Sequence, residues 1–68
     1  MDGKEIRALR LRLGMSQSEF ADKFHVQVGT VSSWELGKSR PKWWTRKELR
    51  IALYAQELRE AAQNAQKT

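Results

Sequence analysis

The chain predicts an all-α fold, on three observations. Apolar residues recur at helical spacing in successive segments, and left-handed-type glycines and a capping box punctuate those segments. The one strand-like stretch has no second strand to pair with. With 68 residues, the expectation is one small domain over residues 1–63, ending in a helical extension, with residues 64–68 frayed. Cysteine is absent and His25 stands alone, so disulfides are ruled out and neither a metal nor a cofactor is expected. No apolar run approaches membrane-spanning length. The N-terminus carries acidic residues and lacks the apolar core of a secretory signal. A cytoplasmic protein with no membrane partner is the expectation.

Ile6, Leu9 and Leu13 place a first helix over roughly residues 3–13, and Gly14 supplies the left-handed residue that ends it. Ser16 and Glu19 then stand in the S-x-x-E relation of a capping box. Met15 and Phe20 hold the flanking positions of a hydrophobic staple. A second helix follows to about Phe24, with Phe20, Ala21 and Phe24 inward. The stretch from His25 to Val31 alternates valines with Thr and Gly, a strand-like local signal. Without a pairing strand it reads instead as a turn at 25–27 and a third helix from Val28 to Leu36. Gly37 closes that helix and Pro41 stops its continuation. From about Trp44 to Gln66 the chain is rich in good helix formers, giving one long helix or two with a break near Tyr54.

Charge is unevenly spread. The net charge is +5, and residues 38–50 hold Lys38, Arg40, Lys42, Arg46, Lys47 and Arg50 against Glu48 alone. Such clustering is the electrostatic footprint of a phosphate-binding patch. Two short helices, a tight turn and this basic run make the span from Ser16 to Pro41 read as a helix-turn-helix, whose second helix enters the DNA major groove.

On these residues the chain resembles the lambda-repressor-like, Cro/Xre-type helix-turn-helix family. The matching signs are Ser16-Gln17, Phe20-Ala21, Val26, Thr30-Val31-Ser32, Trp34-Glu35-x-Gly37-Lys38 and Pro41. The resemblance implies a compact bundle of four or five helices that binds double-stranded DNA sequence-specifically. It implies base contacts from Gln27, Val28, Gly29, Ser32 and Ser33 on the third helix. Gln27 could pair with adenine or cap the helix, and Val28 suits a thymine methyl. Gln17, at the first turn of the second helix, is expected on a phosphate. Lys38, Arg40, Lys42 and Trp43 join it as backbone contacts. Arg10 and Glu35 look like the family's ion pair between first and third helices. His25 departs from the family pattern, standing where a turn glycine is usual.

Adjacent indoles cannot share one helix face, so Trp44 is expected inward and Trp43 outward. On the last helix, Leu49, Ala52 and Leu53 form a stripe toward the core. Ile51, Ala55, Leu58, Ala62 and Ala65 form a second at 4-3-4-3 spacing on the opposite side, expected to hold a homodimer through the first four. The leading expectation is a prokaryotic or phage-encoded transcriptional regulator, a Cro-like or autoregulatory repressor on a palindromic operator. Alternatives are an antitoxin whose last helix holds a toxin or other protein, and a protein-interaction adaptor. No nucleophile–base set, paired carboxylates or phosphate-cradling loop points to an enzyme.

Overall fold

A computed structural model describes residues 1–66, as four helices. They are α1 (Gly3–Arg12), α2 (Gln17–Lys23), α3 (Val28–Glu35) and α4 (Trp43–Gln66). The valine-rich stretch is helical from Val28 onward. The last segment is one unbroken helix that includes Asn64 to Gln66; Lys67 and Thr68, expected in a frayed end, lie outside the described residues.

Local chemistry sets each boundary. Asp2 caps α1 by accepting from the Glu5 amide at 2.8 Å, and the Glu5 carboxylate accepts from the Asp2 amide. Ser16 and Glu19 repeat this box at the start of α2, at 3.1 and 2.9 Å. The returned bonds, first from the Ser16 amide and then from its hydroxyl side, hold the Glu19 carboxyl below its ordinary range.

All three short helices end alike. In each, two amides beyond the cap fold back onto the last turn's carbonyls, with a left-handed residue between. Gly14 (φ +69°) does this after α1 and Gly37 (φ +76°) after α3. After α2 the position falls to His25, at φ +57°, with Val26 N donating to Ala21 O at 3.0 Å. A side chain there crowds the backbone where glycine would not.

The core gathers Ile6 and Leu9 of α1, Phe20, Ala21 and Phe24 around α2, Val31 and Trp34 of α3, and Leu49 of α4. The Phe20 and Phe24 rings pack at 4.7 Å. Burying each large apolar side chain contributes about 1.5–3 kcal/mol, much of what a chain this short can gather.

The expectation that Trp44 turns inward is corrected. Both indoles are exposed, Trp43 at 60% and Trp44 at 54%, and they meet edge to face at 5.6 Å. The inward row of α4 is Thr45, Leu49, Ala52 and Leu53, and 100° per residue carries positions 43 and 44 off that row. Pro41 and Thr45 bury themselves where an indole was expected.

Replacing His25 with glycine should stabilise the fold by about 0.5–1 kcal/mol, because relief of the left-handed strain exceeds glycine's added unfolded-state entropy. A thermal melt should show Tm rising by a few degrees. Gly3→Ala should do the reverse, since its Cβ would lie 2.4 Å from the Trp34 carbonyl oxygen and 2.7 Å from that of Glu35. An unchanged melt for either would refute this reading of the backbone.

Candidate nucleic-acid interface

Helix α3 is held on its inner side and left open on its outer side. Val31 and Trp34 anchor it in the core. At its C-terminal end, Glu35 forms a two-pronged pair with Arg10: Nε donates to Oε2 at 2.6 Å and Nη2 to Oε1 at 3.1 Å. Arg10 Nη1 also donates to the Met15 carbonyl at 3.0 Å, and Gln17 Nε2 donates to Glu35 Oε1 at 3.2 Å. One junction thereby joins α1, the start of α2 and the end of α3. The absence of a Gly3 side chain lets the first turn of α1 lie directly on the α3 carbonyls.

Burial pushes the Glu35 carboxyl up. The hydrogen bonds from Arg10 and Gln17, with the positive charges of Arg10 and Arg7, outweigh it and leave the carboxyl below its ordinary value. Its hydrogen bond to Glu35 raises the Arg10 guanidinium further despite burial. Both groups are ionised at any physiological pH.

The open side carries the candidate base-reading residues. Gln27, Val28 and Gly29 are exposed, and Ser32 and Ser33 are half-buried beside them. Gln27 stands at the N-cap but makes no side-chain capping bond, so its amide is uncommitted. A Cβ built on Gly29 meets nothing within 4 Å; the fold itself does not require glycine there. Leu36, 66% exposed, extends the row Val28–Ser32 by one further turn. In the sequence it marks only the end of the third helix.

The cations gather next to this face. Lys38 N donates to Ser33 O at 2.9 Å, folding the loop after α3 back against that helix. Lys38, Arg40, Lys42, Trp43, Arg46, Lys47 and Arg50 are all exposed. Among the described residues none of these cations is in an ion pair; Lys47 lies over the Trp43 ring at 5.9 Å. Unpaired cations are free to meet phosphate without first breaking a bond.

Gln17 stands at the first turn of α2 as expected, with its side-chain amide turned inward to Glu35. Ile51, Ala55, Leu58 and Ala62 lie apart from the α3 face, on the outer side of α4, and all are exposed. A second α1 tether escaped the sequence reading. Arg12 pairs with Glu60 through Nε at 3.0 Å and through Nη2, and Gln56 Nε2 donates to Glu60 at 3.1 Å. These bonds, led by that from Arg12, bring the Glu60 carboxyl down to about 2. Residues 48 apart carry no local signal of such a pair.

A family model described as helix-turn-helix matches residues 6–42, more than half of the chain. No curated protein and no solved structure matches.

Since the folded Glu35 carboxyl lies below its unfolded value, its stabilisation is complete above the ordinary carboxylate range. It is lost as pH falls through the lowered value. Acid unfolding of Glu35→Gln should therefore depend less steeply on pH than that of wild type. Arg10→Met, which leaves the carboxylate without its main partner, should cost about 3 kcal/mol or more at neutral pH. Equal acid profiles for Glu35→Gln and wild type would refute the assignment.

Proposed function

We propose a function from one premise: the chain belongs to the lambda-repressor-like, Xre-type helix-turn-helix family and is a DNA-binding regulator. On this reading residues 1–63 act as one domain that inserts α3 into the major groove. A dimer then binds a palindromic operator in the cell's cytoplasm, and repression follows from occupancy of the promoter. The supporting observation is the exposed face of α3 beside a run of cations that have no ion pair among the described residues.

Each side chain has a role set by its chemistry. Gln27 offers an uncommitted amide to an adenine edge, and Val28 offers methyls to a thymine. Ser32 and Ser33 supply short hydroxyls. Gly29 lets the backbone come close to DNA. Lys38, Arg40 and Lys42, with Trp43 through its indole N–H, hold the sugar-phosphate backbone. Gln17 contributes through the α2 start, its side chain serving Glu35. No arginine lies on the α3 face, so part of the specificity comes from DNA shape. Ile51, Ala55, Leu58 and Ala62 join two copies, which sets the half-sites about 34 Å apart.

Three measurements test this. If a dimer neutralises about eight phosphates, log K against log salt should slope near −7; Lys38→Ala or Lys42→Ala should flatten it and weaken all sequences alike. Binding indifferent to salt would remove the reading. Gln27→Ala or Val28→Ala should cost about 1–3 kcal/mol on the preferred site while sparing non-specific binding. Gly29→Ala should stabilise the helix by up to about 1 kcal/mol yet weaken specific binding. Equal losses on specific and random DNA would place recognition elsewhere. For the dimer, sedimentation at micromolar concentration should separate wild type from Leu58→Glu. If both sediment as the same monomer, the outer face of α4 becomes the seat of a toxin or other protein partner.

A further inference from the structure

The outer face of α4 carries more than the four residues assigned to it above. Trp44 stands seven residues before Ile51, and Ile51 seven before Leu58, so the three share one face of an unbroken helix. They are 54%, 66% and 72% exposed. Ala55 and Ala62 fill the alternate positions. The same helix is fastened on its opposite side, by Leu49 in the core and by Glu60 on Arg12, so it cannot turn to bury this stripe.

The charges beside the stripe have a symmetry of their own. Glu48 and Arg59 border it on one side. The two are symmetric about the point between Leu53 and Tyr54. Among the described residues, neither is in an ion pair. A second α4 running antiparallel through that point, stripe against stripe, places each Glu48 by an Arg59. The same register sets the large Trp44 against the small Ala62 and drops Leu58 between Glu48 and Ile51. A groove already exists there, lined by Phe24, His25, Glu48, Ile51 and Ala55. A parallel pairing would instead hold Glu48 and the partner's Arg59 well apart along the axis and align the two helix dipoles.

Resting on the dimeric reading above, we propose that two copies of this chain dock through α4 in antiparallel register, centred between Leu53 and Tyr54, with Trp44 as part of the interface. Charge complementarity fixes the register, and the apolar stripe with its groove supplies the contact. Each recognition helix is then carried on the flank of a rigid α4 pair.

The chain has no cysteine, so single introduced thiols report the register directly. In the antiparallel dimer Ala55 lies near its counterpart, whereas the two copies of Ala62 stand about 25 Å apart along the axis. Oxidation of the full chain at micromolar concentration should therefore cross-link Ala55→Cys and leave Ala62→Cys monomeric on a non-reducing gel. Cross-linking of Ala62→Cys would overturn the antiparallel register while leaving dimerisation intact. Failure of both, with a monomer in sedimentation, would remove the dimer itself and leave DNA binding by α3 untouched. As a second arm, Glu48→Arg should raise the dimer dissociation constant several-fold, and adding Arg59→Glu should restore it. No restoration would refute the charge pairing.

Discussion

Arg10 and Glu35 meet where three helices converge, and the presentation of α3 depends on that meeting. A charge taken out of water is costly unless paired in good geometry. Here the guanidinium fork matches the carboxylate at two points, spends a third donor on the Met15 carbonyl, and leaves the second carboxylate oxygen to take Gln17 as well. The gain is orientation. Apolar packing of Val31 and Trp34 holds α3 against the body but would tolerate a small rotation about its axis; a bidentate pair at its last turn does not. Gly3 adds a steric limit, because α1 rests on the carbonyls of that same turn.

The outer face of α3 can be adaptable in consequence. Among the described residues its side chains make no bonds that hold the fold: the Gln27 amide caps nothing and Gly29 borders open space. Propensity argues against a glycine inside an eight-residue helix, at a cost of about 1 kcal/mol relative to alanine. A locally unfavourable choice with no structural return is what a surface shaped for a ligand shows. Structural demands fall on one side of α3, and the proposed recognition face is the other.

Much of this was legible in the sequence. The Ser16–Glu19 box, the glycines at 14 and 37 and the apolar spacing of Ile6, Leu9, Phe20 and Val31 locate α1, α2 and α3 because each signal acts within one turn of chain. The inward row of α4 followed from periodicity in the same way. Trp44 was misplaced because the expectation assumed that one of two large apolar neighbours must be buried. The positions of Pro41, Thr45 and Leu49 decide the phase of that helix, and they leave both indoles outside. The Arg12–Glu60 tether and the close fit at Gly3 were illegible, since both join segments more than thirty residues apart and neither residue type announces its partner. Gln17 was placed on the right turn, but its inward hydrogen bond appears only once Glu35 is in position.

The folded chain thus presents two exposed surfaces on a small body: a cation-flanked helix face, and an apolar stripe on a long helix pinned from behind. In the proposed dimer they act together, the stripe joining the two copies whose α3 faces read DNA. Selection of bound duplexes from a random-sequence pool is the decisive measurement, because one experiment reads affinity, specificity and symmetry together. Such a dimer enriches a two-fold symmetric sequence, with half-sites centred about one helical turn apart. A pool that stays unenriched, or that converges on a single asymmetric site, would contradict it.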